Sequence, residues 1–229
     1  MSYKKNDIKI MALNKSEGAN TVFLSVADGN LVRSHKVANA NTVERITKTG
    51  KQVFEEKFKD LTGMITGIAT KENDYGKQYQ ITFTDGDEKY VVRMPYSSRY
   101  SASFLKALPN VDGTKLVKLM PWSMTDKNDA SKKITGVALY QNDGNGFVKI
   151  ATAFTKEDPN GLPQMKKIKV KGKETWDDSE MSEFLENVAK EWMAKKVDHI
   201  EEPIAGEEPI AGEEPIAGEE PIVGEEAPF

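Results

Sequence analysis

Between Gln78 and Met94 the side chains follow a two-residue period that a half-buried hairpin satisfies. Tyr79, Ile81 and Phe83 alternate with Gln78, Gln80 and Thr82; Asp85-Gly86 turns the chain; Tyr90, Val92 and Met94 then alternate with Lys89, Val91 and Arg93. Successive strand side chains point to opposite faces, so this segment carries one apolar and one polar face. A second hairpin is expected over 20–37, with Thr21 to Val26 leading into the turn signal Asp28-Gly29 and Leu31 to Val37 returning. The β-prone stretch from Val53 to Thr70 is interrupted by Gly63 and Gly67. Glycines inside a strand mark bulges and bends, and a strongly bent strand is what a small barrel needs.

After the central hairpin the period changes. Ser98 is placed to cap a helix to Leu108, with Tyr100, Phe104, Ala107 and Leu108 at helical spacing and Pro109 behind it. Two further strands are expected over Lys115 to Met124 and Lys132 to Tyr140, and Phe147 to Ile150 pairs back beyond the Asn142–Gly146 loop. Three strands, a helix and two strands form the layout of the five-stranded OB barrel. The expected class is therefore mainly β: an OB barrel with an N-terminal hairpin and a C-terminal helix. That helix spans Ser179 to Lys196, with Met181, Phe184, Leu185, Val188 and Trp192 as its apolar stripe. Asp177 and Asp178 at its start and Lys195 and Lys196 at its end suit the helix dipole. Lys166 to Lys173 alternates lysine with Ile168 and Val170, as an edge ribbon does.

The end of the chain obeys other rules. Glu-Glu-Pro-Ile-Ala-Gly begins at Glu201, Glu207 and Glu213, a Val-containing copy begins at Glu219, and Glu225-Glu226-Ala227-Pro228-Phe229 follows. Proline in each copy blocks helix and sheet ladders, glycine adds backbone freedom, and paired glutamates repel, so disorder is expected. Ten of the 36 acids sit in 201–229, which has no lysine or arginine, leaving 26 acids against 32 bases in the body. A mildly basic body is thus joined to a polyanionic tail. The tail would span at most ~100 Å extended and about 30 Å as a coil, enough to reach any face of the body. Phe229 offers a ring beside a carboxylate, with Pro228 stiffening the approach, and a partner needs an apolar pocket and one cation to hold it.

An acidic tail closing in Pro-Phe resembles the tails of bacterial and phage single-stranded DNA-binding proteins, and the whole chain resembles those of tailed enterobacterial phages. The resemblance implies an OB fold on the single-stranded DNA, roles in replication, recombination and repair, and recruitment of proteins of those processes through Glu225, Glu226, Pro228 and Phe229. This tail departs from the common bacterial tip in using Glu for Asp, in Ala227 before Pro228, and in its regular repeats. The chain divides on this reading into residues 1–200, a nucleic-acid-binding domain with extensions, and 201–229, the tail.

Non-specific binding of single strands needs cations that follow phosphates and rings that stack on bases. Sought off the apolar faces, the candidates are Tyr75 in a polar loop with Lys77 beside it; Lys89 and Arg93 on the polar side of their strand; Tyr96 and Arg99 beyond Pro95; and Trp122 with Lys118 four residues earlier. Tyr79, Phe83, Tyr90, Tyr100 and Phe104 fall on apolar faces and read as core. The Lys166 to Lys173 ribbon either extends the groove or is where the tail rests.

Other classes have less behind them. There is no cysteine, which removes disulfides and thiolate chemistry and fits a reducing cytoplasm, that of the host if the chain is phage-encoded. His35 and His199 are the only histidines, and no Walker, HExxH or EF-hand pattern occurs, so no enzyme, cofactor or metal is expected. Asp85-Gly86-Asp87-Glu88 and Asp126-Lys127-Asn128-Asp129 admit a magnesium-dependent nuclease as an alternative, although such turns are commoner for structural reasons. No apolar run is long enough for a membrane span, and the start of the chain lacks a signal-like stretch. A scaffold or interaction protein with an acidic anchor, without DNA affinity, is the remaining alternative.

Overall fold

The computed structural model describes residues 21–47, 50–74, 76–170 and 172–201, the side chains of 170, 173 and 197–201 excepted. The fold is mainly β. An N-terminal group holds β1 (Thr21–Ala27), β2 (Asn30–His35), β3 (Val43–Ile46) and β4 (Gln52–Phe58). A central group holds β5 (Leu61–Asn73), β6 (Gly76–Asp85) and β7 (Glu88–Pro95), then α1 (Arg99–Ala107), β8 (Val117–Thr125), β9 (Lys133–Asn142) and β10 (Phe147–Lys149). The ribbon β11 (Lys166–Val170) and β12 (Lys173–Asp177) precedes α2 (Ser179–Glu201).

Ten strands form one sheet in the order β10-β9-β8-β5-β6-β7-β1-β2-β4-β3, whose end strands are not paired with each other. The 78–94 alternation is realised as β6 and β7, with Tyr79 opposite Met94, Ile81 opposite Val92 and Phe83 opposite Tyr90. These residues point inward with Leu24, Leu31, Ile65, Leu119 and Leu139, and α1 adds Phe104 and Leu105 to the same core. The Ser98 hydroxyl caps α1 by accepting from Ser101 N. Pro109 sits inside a short 3-10 turn, Leu108–Asn110, that ends the helical run.

One sequence expectation divides in two. The Val53 to Thr70 stretch is two strands, because β4 folds back along β2, with Leu31 opposite Phe58, before β5 begins at Leu61. The bend is placed as the glycines indicated: the β5–β6 register shifts between Ile65 and Gly67. At Gly63 an added Cβ would sit 2.9 Å from the Thr84 carbonyl oxygen, so only glycine permits this approach. The curved β5 pairs with β6 over most of its length and with β8 at Leu61 to Gly63.

The N-terminal strands are not a separate ribbon. β1 lies parallel to β7, with Phe23 opposite Val91 and Ser25 opposite Arg93. The β1–β2 turn lodges against β8 and α1: Gly29 N donates to the Tyr100 hydroxyl at 2.9 Å, and Asp28 pairs with Lys133 at 3.1 Å. On α2, Leu185, Ala189 and Trp192 are buried and Met181 and Phe184 pack beside them, so most of the apolar stripe is core packing. Among the described residues no helix is long and apolar enough to cross a membrane. Residues 202–229, with the repeats and Pro228-Phe229, lie outside the described residues.

Candidate nucleic-acid interface

Strand parity gives the sheet an outer face opposite the core. On β6 it carries Gln78, Gln80, Thr82 and Thr84; on β7, Lys89, Val91, Arg93 and Pro95. Ala69 and Lys71 continue it on β5, and Thr21, Phe23 and Ser25 on β1. No position of this face on these four strands is acidic. Lys71, Lys89 and Arg93 have no carboxylate partner among the described residues, whereas Lys77, Lys115, Lys132, Lys133, Lys166, Lys167 and Lys190 are all ion-paired. Phe23 stands on β1 at one side of this face, 48% exposed, with the Arg93 guanidinium carbon 4.3 Å from its ring centre. The first acid met in crossing the sheet is Glu55 on β4, already held by Arg45 at 2.5 Å.

Of the sequence candidates, this face therefore joins Lys89 and Arg93. Lys118 and Trp122 share another stretch of outer surface, on β8. There the Lys118 ammonium lies 4.4 Å from the Phe147 ring centre, and the Trp122 ring covers Gly136 so closely that a Cβ on Gly136 would meet it at 2.6 Å. The Asp28-Gly29 turn borders this stretch: a Cβ at Gly29 would lie 2.6 Å from Ser123 N and 2.9 Å from the Trp122 carbonyl carbon.

Lys77 and Tyr96 lie elsewhere, at the strand ends beneath α2. Glu186 of α2 accepts from the Tyr96 hydroxyl at 2.7 Å and from Lys77 at 2.6 Å, and Lys190 adds a third contact at 3.2 Å. The Tyr96 ring stacks on Tyr79 at 5.1 Å and carries the Lys77 ammonium 4.2 Å from its centre. Burial alone would push the Glu186 carboxyl up; the three hydrogen bonds outweigh it and hold the group at about 2. The same hydrogen bond raises Lys77. Burial, then Glu186, raises Tyr96. This is an anchorage for α2, and it engages both side chains. Arg99 also works within the fold, donating to the Lys133 carbonyl at 3.1 Å and so tying α1 to β9. Tyr75 lies outside the described residues.

The two most exposed rings among the described residues, Phe23 and Trp176, escaped the sequence reading. Phe23 had a usable signal, since Val22, Leu24 and Val26 take the inward parity and leave Phe23 outward. Trp176, 58% exposed on β12, stands opposite Lys167, whose ammonium is 5.3 Å from its ring centre. The Asp126–Asp129 turn serves its own loop: Asp126 accepts from Asn128 N, and Asp129 from Ser131 N and Oγ. No cluster of three or more metal-binding side chains occurs among the described residues.

No family model, curated protein or solved structure matches the chain.

Proposed function

We propose that this chain binds single-stranded DNA without sequence preference, through the outer face of β5, β6, β7 and β1, and recruits partner proteins through its acidic repeat segment. The observation that carries the reading is the acid-free face on which Lys89 and Arg93 flank the exposed Phe23 and Lys71 adds a cation on β5. Unpaired cations follow phosphates, and a half-exposed ring beside them supplies a stacking platform for a base. Glutamine, threonine and Ser25 add polar positions that offer hydrogen bonds to any base edge or sugar.

Strand order supports an OB arrangement of the central strands. Five neighbours, β9-β8-β5-β6-β7, with α1 between β7 and β8 in sequence, run 5-4-1-2-3 when numbered by themselves. OB folds bind oligonucleotides on the face of their second and third strands, here β6 and β7, the centre of the acid-free surface. In this chain β1 occupies the flank of β7, and the Asp28-Gly29 turn rests against β8 and α1. The reading also takes the protein to be a non-enzymatic, cytoplasmic factor of DNA replication, recombination and repair, with the Glu225 to Phe229 segment as its partner-binding end.

The decisive experiment is a titration of the full chain with single- and double-stranded oligonucleotides at several salt concentrations. Tight binding to single strands of about 10–20 nucleotides, weaker binding to duplex, and affinity that falls as salt rises are expected. Absence of binding at low salt would remove the reading and leave a scaffold or interaction protein.

A further inference from the structure

A cavity of about 770 Å³ opens beside the outer face where β5 bends, beneath the last described turns of α2. Thr84 belongs to both features: it lines the cavity and is the cross-strand neighbour of Lys89 on one side and of Met64, another lining residue, on the other. The floor is apolar, formed by Met64, Pro109, Val111 and Trp192. Trp192 is fixed there by its indole N–H, which donates to the Val111 carbonyl at 3.0 Å.

The rim is cationic. Lys195 is exposed and has no ion-pair partner among the described residues; Lys196 donates to the Ile65 carbonyl with its ammonium 5.7 Å from the Trp192 ring centre. The single acid, Asp112, is neutralised locally: its carboxylate accepts from the Thr114 hydroxyl and backbone N–H and pairs with Lys115. An apolar floor with few polar groups and a volume in the range of ligand sites suits a flat heterocycle, and the unpaired Lys195 at the lip suits the phosphate attached to it.

We propose that this cavity is a nucleotide subsite continuous with the β6–β7 face, taking one end of the bound single strand. A base lodges against Met64 and Trp192, and the adjoining phosphate lies between Lys195 and Lys89. The proposal rests on the nucleic-acid reading above and adds to it a defined end for the binding track.

The test uses the full chain and oligothymidylates of rising length, comparing the unaltered protein with Lys195→Glu and Thr66→Glu. Both positions are exposed at the lip, so the variants are expected to fold, which circular dichroism checks. Expected are affinities about fivefold or more weaker, a salt slope shallower by about one, and a plateau of affinity reached with oligonucleotides shorter by a nucleotide or two. Unchanged affinity, slope and plateau length in both variants, with the unaltered protein binding normally and Arg93→Gln impaired, would overturn the subsite and leave the sheet face standing. No binding by the unaltered protein would overturn both.

Discussion

The Arg93 guanidinium carbon lies 4.3 Å from the centre of the Phe23 ring, although the two residues are far apart in sequence and stand on parallel strands. The pairing exists because β1 adds to the free side of β7 with Ser25 opposite Arg93, which places the outward Phe23 one step along the same face. The contact orients the arginine and leaves half the ring exposed. Phe23→Ala should weaken single-stranded DNA binding by about 1–3 kcal/mol, the worth of one stacked base, with little change in stability. Arg93→Gln should lower affinity evenly across sequences and reduce the salt slope by about one. Anisotropy titrations at three salt concentrations measure both, and unaltered binding in both variants would move the interface off this face.

Glu186 governs a pH-dependent part of the stability. Its carboxyl, ordinarily near 4.5, is held at about 2 in the folded protein by Lys77, Tyr96 and Lys190 against the opposing effect of burial. A depressed acid stabilises the fold above its unfolded value, and that contribution is lost as pH falls through the folded value. Glu186→Gln should therefore be less stable than the unaltered protein by about 1–2 kcal/mol at pH 7, and the gap should close between about pH 4.5 and pH 2. Denaturant melts of both proteins across that range provide the check; a gap independent of pH would mean that the charge of Glu186 does not hold α2 in place.

Much of the fold is legible in the sequence, and the residues that are not have a common physical cause. The alternation through Tyr79, Ile81 and Phe83, the Ser98 cap and the α2 stripe are local patterns, and each produced its element. The parallel pairing of β1 with β7 is non-local, with no turn to announce it, so parity alone turns Phe23 outward but spacing does not bring it beside Arg93. Lys77 shares the inward parity of Tyr79, and Tyr96 that of Met94, so alternation itself sets both apart from Arg93. What local spacing does not carry is the non-local contact by which Glu186, distant in the chain, receives both.

Gly29 should tolerate no side chain. Its φ is +75°, a conformation that costs an L-residue about 1 kcal/mol, and a Cβ there would stand 2.6 Å from Ser123 N, which is backbone and cannot swing aside. Gly29→Ala must push the β1–β2 turn off β8, loosening the Gly29 to Tyr100 hydrogen bond and the Asp28–Lys133 pair. A loss of about 2–4 kcal/mol is expected by denaturant titration. Gly86, also at positive φ but with open space around it, should lose only about 1 kcal/mol on the same change, so the difference between the two variants isolates the β8 contact.

The acidic repeats provide the last test, because they carry the charge most able to compete with DNA for the body. Ten glutamates without a base, joined to a body that holds 32 bases against 26 acids, act as an intramolecular anion at high effective concentration. Removing residues 201–229 should leave single-stranded DNA affinity unchanged or make it tighter, with the larger gain at low salt where the competition is least screened. The same truncation should abolish capture of replication or repair proteins, and Phe229→Ala should do so while leaving DNA affinity alone, since it removes the ring and keeps every charge. Weaker DNA binding after truncation would place the tail on the side of the DNA contacts and end the competition argument.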